Sequence, residues 1–172
     1  MIMFSGSLYM HDATLCLLVK NNQVYLAEKI DKNGFGVGKY NGYGGKVEKY
    51  DKTIEDAAIR ETYQEGPVHI RKENLMKVAE IEFLFPDVPK EKDFEQIVNV
   101  YIVKVWFGQL TGKDEMGKGE LYDFDKLPLD NMWEADRDWM PLVLFGKKIK
   151  AGYTYYNNKP VERNYLNYVE KF

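Results

Sequence analysis

Four residues within one short stretch, Arg60, Glu61, Gln64 and Glu65, have the types and spacing to organise a polyanionic reactant. Positions three and four apart are neighbours on a helix, so residues 61, 64 and 65 stand side by side. Their stripe runs back through Ile54, Ala57 and Ala58 within an arc of roughly 120°. Carboxylates that extend an apolar stripe must be paired, protonated or holding a metal. Glu61 and Glu65 also lie near the helix C-terminus, where the macrodipole disfavours negative charge, so something positive should offset them. Hard divalent cations prefer carboxylate oxygens and bridge to substrate phosphates. A solvent-facing acidic helix end paired with lysines is the plainer alternative. Arg60 is either a brace for the glutamates or a surface partner of Glu55 or Asp56. Upstream, Gly42, Gly44 and Gly45 permit a turn whose backbone comes close to phosphates or metal.

Scattered along the chain are residue types that a flat heteroaromatic ligand such as a purine would use. Asn41 both donates and accepts, as a purine edge requires. Phe35, Phe83, Phe85 and Trp133 can supply walls, and Thr14 a floor. The alternation of Phe83 and Phe85 fits the core face of a strand equally well. Asp136, if set in an apolar pocket, has a raised pKa and can donate to a base; if set in a loop, it pairs with Arg137.

The segment from Gly44 to Pro67 resembles the Nudix box: a glycine, a spaced glutamate, then Arg-Glu-apolar-x-Glu-Glu-x-Gly-apolar. Here Gly45 is followed by Arg60-Glu61-Thr62-Tyr63-Gln64-Glu65-Gly66-Pro67-Val68. From about Ala13 to Phe172 the chain looks like the 8-oxo-dGTP diphosphatases of the MutT group. The glycine-rich segment 33–47, Phe83-Leu84-Phe85, Asp114-Glu115-Met116, Met132-Trp133 with Asp136, and Trp139-Met140-Pro141-Leu142 carry the likeness.

That resemblance implies a Nudix fold, α+β, with a mixed sheet between helices. It implies metal-dependent hydrolysis of modified purine nucleoside triphosphates such as 8-oxo-dGTP to monophosphate and pyrophosphate. Mg²⁺ would be the cofactor, with Mn²⁺ as a substitute. Glu61, Gln64 and Glu65 would hold the metal, joined by the Gly44 carbonyl and Glu115. Arg60 would act with them as the brace. Lys29, Tyr43, Gly45 and Lys46 would lie along the substrate with Thr14, Phe35, Asn41, Phe83, Phe85, Trp133 and Asp136. The rival expectations are another Nudix class, acting on dinucleotide polyphosphates, nucleotide sugars or capped RNA, and a nucleotide-binding module that has lost catalysis.

Four departures accompany the likeness. Gln64 stands for the first glutamate of the Glu-Glu pair and brings no charge. Asp51 and Lys52 occupy the region of the spaced glutamate. Pro67 stands at the box glycine, with Gly66 beside it. Ala135 precedes Asp136 where the group has a second aspartate.

The elements that position these residues follow from pattern. Ala13–Val19 and Gln23–Lys29 read as strands joined at Asn21-Asn22. Residues 31–45 form a glycine-rich loop. Thr53–Glu65 is a helix with Thr53 as N-cap and Asp56 three residues on. Met76–Phe85 and Ile97–Phe107 are strands, and Leu121–Asp125 a short one. Pro141–Lys148 begins a second helix, with proline in its first turn. Periodicity leaves Val161–Glu170 open between helix and strand. Residues 1–11 read as a leader.

With 172 residues, 45% of them hydrophobic and 30% charged, the chain suits a single domain. A net charge of −3 argues against a large nucleic-acid face. Cys16 is the only cysteine, and its apolar surroundings mark it as a buried strand residue. No apolar run approaches the ~20 residues of a membrane span. A cytoplasmic monomer acting on a small nucleotide, without nucleic acid or membrane as partner, is expected.

Overall fold

A computed structural model describes residues 10–32, 36–92, 94–157 and 159–172. Strand β1, His11–Lys20, turns back into β2, Gln23–Glu28. Asn21 and Asn22 both have positive φ, 53° and 60°. That is the two-residue turn whose twist matches an antiparallel pair, and asparagine tolerates it. Two-residue β3, Tyr40–Asn41, lies inside the glycine-rich loop and adds to β2.

Helix α1, Ile54–Glu65, starts where Thr53 accepts a hydrogen bond from the Asp56 amide. It stops at Gly66, whose φ of −117° any residue can adopt. Gly66 is needed there for close packing: an added Cβ would stand 2.7 Å from Leu110 and 3.0 Å from the Tyr43 ring. Beyond the helix, β4 (Val68–His69) pairs later with β7 (Phe107–Gly108). Between them, β5 (Leu75–Leu84) and β6 (Gln96–Val103) form an antiparallel pair. Strand β8, Glu120–Asp123, pairs with β2.

Helix α2 is Asp136–Leu144, five residues earlier than the expected start at Pro141. Pro141 lies inside it, and Asp136 opens its first turn. The tyrosine-rich tail is a hairpin of β9, Ile149–Tyr156, and β10, Lys159–Tyr168. Strand β10 is an edge strand with mixed exposure on both faces, so it carries no clean period of two.

Among the described residues the main sheet runs β10-β9-β5-β6-β1-β2-β3, with β8 also on β2. It is mixed: β1 with β6 and β5 with β9 are parallel, and the other pairs are antiparallel. Alternation along β1 divides the core. Ala13, Leu15, Leu17 and Val19 pack with Trp139, Met140 and Val143 of α2. Cys16 and Leu18 pack with Ala58 of α1, Tyr43 and Tyr101. The helices therefore cover opposite faces, giving the α+β sandwich expected from the sequence. Of the expected leader, residues 1–9 lie outside the described part, and His11 already belongs to β1.

Candidate active site

The chain after β3 runs antiparallel to β1 and is pinned to it. The amides of Thr14 and Cys16 donate to the carbonyls of Gly45 and Tyr43 at 2.8 and 2.6 Å, and the Tyr43 amide returns a bond to Cys16 at 3.0 Å. Only glycine fits this approach. A Cβ on Gly44 would lie 2.0 Å from the Thr14 carbonyl oxygen. A Cβ on Gly45 would lie 2.7 Å from the Glu61 carboxyl carbon. The same turn meets the helix directly, because the Gly44 amide donates to Glu65 Oε2 at 2.9 Å.

Helix α1 presents its groups unequally. Ala58, Thr62 and Glu65 form the buried stripe, with Glu65 only 8% exposed. Burial pushes the Glu65 carboxyl up to about 8; the Gly44 amide opposes the rise and the Glu61 charge adds to it. Burial raises Glu61 as well, against the pull of Arg60. Gln64 is turned outward, and its Oε1 accepts from Arg60 Nη1 at 3.0 Å.

Arg60 is the hub of this end of the helix. Its Nε and Nη2 donate to the two carboxylate oxygens of Asp51 at 2.9 and 2.7 Å. Nη1 reaches Glu61 at 2.5 Å, and Nη2 also donates to the Lys46 carbonyl at 3.0 Å. The bidentate pair holds Asp51 below the usual carboxylate range. Arg60 is thus a brace, and the surface pairing with Glu55 or Asp56 is replaced by Lys72, which lies 4.0 Å from each. Asp51, in the loop ahead of α1, is the carboxylate that Arg60 holds with two hydrogen bonds. Nothing in its local pattern marks it, because its partner lies nine residues on.

Glu115 sits on the turn after β7, and Lys29 Nζ meets its Oε2 at 3.1 Å. Both act on the glutamates: the Glu115 charge raises Glu61 and Glu65, and Lys29 lowers Glu65. Among the described residues no three carboxylates, histidines or cysteines form a ready-made metal cage. The donor set nonetheless fits a hard divalent cation. Glu61 and Glu65 offer desolvated oxygens facing the Gly44 turn, with Glu115 across from them.

A cleft of about 240 Å³ runs from Glu65 to Asp136. Lys29, Gly44, Gly45 and Lys46 line it with Glu65; Phe83, Phe85, Trp133 and Asp136 line it with Tyr155, and Thr14 and Asn41 line it too. Asn41 Oδ1 accepts from the Gly42 amide at 2.9 Å. Asp136 is 4% exposed at the start of α2. Its Oδ2 accepts from the Trp133 amide at 3.1 Å and its Oδ1 from Trp139 Nε1 at 3.0 Å. Burial raises its pKa to about 7, against those two donors and the Lys39 charge. The alternative pairing with Arg137 is excluded: that guanidinium meets Asp130 at 3.3 Å.

One expected substrate residue needs correction. Tyr43 is 0% exposed and packs in the α1-side core, away from the cleft. Successive residues of an extended segment point to opposite faces, so Tyr43 turns inward beside Gly42 and Gly44, which line the cleft. Phe35 lies outside the described residues. Arg60, Glu61, Gln64 and Glu115 surround the glutamate end without lining the cleft. Lys39, Gln96, Trp139 and Tyr155 line it and were not anticipated. Lys39 donates to the Met132 carbonyl at 3.2 Å and lies 5.9 Å from the Trp133 ring centroid. The Tyr155 ring meets the rings of Phe83, Phe85 and Trp133.

Residues 10–143 match the family model described as the NUDIX domain. The chain belongs to the NUDIX family. Two relatives carry the name "Oxidized purine nucleoside triphosphate hydrolase". The Danio rerio protein is 34% identical over 157 residues, 91% of this chain and 94% of its own length. The Mus musculus protein is 32% identical over 159 residues, 92% of this chain and 96% of its own. The NUDIX fold is shared with a MutT protein from Bacillus halodurans at a TM-score of 0.66 and 20% identity, over 92% of this chain and 97% of that one. A MutT NUDIX hydrolase from Burkholderia pseudomallei aligns at 0.61 and 16% identity, over 78% and 96%. NUDIX hydrolases need divalent metal ions and act on small nucleotide substrates. No helix among the described residues of this NUDIX chain is long and apolar enough to cross a membrane.

Proposed function

We propose that this NUDIX enzyme hydrolyses oxidised purine nucleoside triphosphates, 8-oxo-dGTP among them, to the nucleoside monophosphate and pyrophosphate, and so cleans the nucleotide pool. The observation that carries this reading is the single cleft joining two unlike ends. One end has the desolvated carboxylate of Glu65 against a glycine turn, with Glu61 behind it; the other has aromatic walls with the buried Asp136. The names of the Danio rerio and Mus musculus relatives support it.

Glu61 and Glu65, with Glu115 and the Gly44 carbonyl, are the proposed holders of Mg²⁺, for which Mn²⁺ can substitute. Such a cation supplies phosphate charge neutralisation and a water of lowered pKa. The chain's own groups do the positioning. Asp51 and Arg60 fix Glu61 through the bidentate bridge, so its carboxylate does not swing into solvent. Gln64 accepts from Arg60, which makes it a support of the brace more than a ligand. Lys29 and Lys46 line the cleft with Glu65 and suit the phosphate chain. Phe83, Phe85 and Trp133 suit the faces of a base. Asp136, with a pKa of about 7, is both carboxylate and carboxylic acid near neutrality and can accept or donate at a purine edge.

The test is to incubate the purified chain with Mg²⁺ and 8-oxo-dGTP, dGTP, 2-oxo-dATP or O6-methyl-dGTP and to separate the products. Monophosphate and pyrophosphate formed faster from a modified purine than from dGTP is the expected result. Binding of these nucleotides without turnover under Mg²⁺ and Mn²⁺ would replace the enzyme with a binding module.

A further inference from the structure

Tyr155 lines the cleft, and its hydroxyl has no part in the chemistry described above. It is on β9, and its ring stacks on Phe85 with centroids 5.5 Å apart and an interplanar angle of 16°. It meets Phe83 at 6.1 Å and the edge of Trp133 at 6.0 Å. A phenylalanine would make all three ring contacts, so the hydroxyl serves something else. It accepts a hydrogen bond from the Ala135 amide at 3.0 Å. The bond ties β9 to the residue before Asp136, just ahead of α2. Accepting that bond leaves the phenol proton to donate, and among the described residues no acceptor takes it. Burial keeps the phenol protonated, and the Asp136 charge, which Tyr155 feels, does the same. Ala135 brings no polar side chain and is packed in the core, so the phenol bound to its amide is the polar group at the residue before Asp136.

A carboxyl group next to a phenol donor matches a lactam edge, where a ring N–H adjoins a C=O. An oxopurine has such an edge. Adenine also pairs an acceptor with an N–H, but with the positions exchanged: laid on the same two groups it turns its amino group, a donor, to the phenol proton and a bare ring nitrogen to the carboxyl. We propose that Tyr155 is a specificity-determining residue that donates its hydroxyl proton to a lactam oxygen of the purine while Asp136 faces the adjoining N–H. This rests on the base-site reading of the cleft given above.

The test uses the intact chain and Tyr155→Phe, with dissociation constants for 8-oxo-dGMP, dGMP, 8-oxo-dAMP and dAMP by titration calorimetry and Tm recorded alongside. Monophosphates make the measurement independent of hydrolysis. Loss of one neutral hydrogen bond weakens binding by about fivefold to tenfold. That loss is expected for a lactam-bearing nucleotide, with dAMP binding as it does to the parent. Weakening by the same factor for all four would show that the hydroxyl only holds Ala135 in place and would overturn the proposal. Parent-like affinity for every lactam nucleotide would overturn it too. A parent chain that binds none of the four would refute the base site and this proposal together. Tyr155-dependent binding without triphosphate turnover would leave this proposal standing and sink only the hydrolase reading.

Discussion

Glu65→Gln separates what this glutamate does for the reaction from what it does to the fold. The substitution keeps shape, and the amide oxygen can still accept from the Gly44 amide. It removes a carboxyl that burial has raised from 4.5 to about 8. Such a group binds its proton more tightly folded than unfolded. The stability linked to it is complete below about pH 4.5, falls as the pH rises toward about 8, and is flat above. At ~1.36 kcal/mol per pH unit the whole effect is about 4–5 kcal/mol, of which about 3 kcal/mol falls between about pH 5 and about pH 8. The glutamine variant lacks this slope. Its Tm should therefore gain about 6–12 °C on the parent across that interval. Scanning calorimetry in EDTA at several pH values measures the difference curve, in which the contribution of Asp136 cancels and that of Glu61, coupled to Glu65, is reduced. Turnover should fall by about a hundredfold or more, because a proposed metal ligand is gone. Added Mn²⁺ should raise the Tm of the parent more than that of the variant. Parallel Tm curves would refute the desolvated acid, and retained turnover would refute its place in the machinery.

Asp51→Ala strips Arg60 of its bidentate partner while that guanidinium remains largely covered; a loss of about 2–3 kcal/mol in urea unfolding and about a tenfold fall in kcat are expected. Parent-like kcat would show that the brace does not position Glu61. Gln64→Glu restores a carboxylate beside Arg60 Nη1 and should tighten Mn²⁺ binding by about tenfold in a calorimetric titration. Unchanged affinity would mean that residue 64 supports Arg60 only. Gly44→Ala forces a methyl to 2.0 Å from the Thr14 carbonyl oxygen, so β1 and the turn must separate. Destabilisation of about 3 kcal/mol or more is expected in chemical denaturation, and a loss under 1 kcal/mol, on the order of a surface change, would show that the turn yields freely.

How much of the site could be read along the chain depended on the reach of each interaction. Glu61 and Glu65 declared themselves because helical spacing and the macrodipole act within one turn of chain. The Asn21-Asn22 hairpin and the Thr53 cap are equally local. Asp51 was noted only as a residue in the place of the spaced glutamate, because its bridge to Arg60 needs the loop folded back. Tyr43 was placed in the substrate site because its neighbours Gly42, Gly44 and Gly45 belong there. The alternation of an extended backbone turned it to the opposite face. The second helix was begun at Pro141 because proline favours a first turn, yet packing of Trp139 and Met140 on the sheet extends the helix back to Asp136. Strand β10 stayed ambiguous because an edge strand with mixed exposure leaves no period to detect.

Resemblance to the Nudix box implied the residues for a metal and a purine; by itself the sequence determined that a short acidic helix follows a glycine turn and that strands flank both. Those features are set by spacing, capping and backbone freedom, all within a few residues. The tertiary structure decided which residues share a cleft. Parallel pairing of β1 with β6 and of β5 with β9 sets residues 70 to 85 positions apart side by side, so Tyr155 meets Phe83 and Phe85 on a wall that Asp136 also lines. It also decided the ionisation of Glu65 and Asp136, because desolvation depends on what packs over a carboxyl group, and no neighbour in the chain supplies that information.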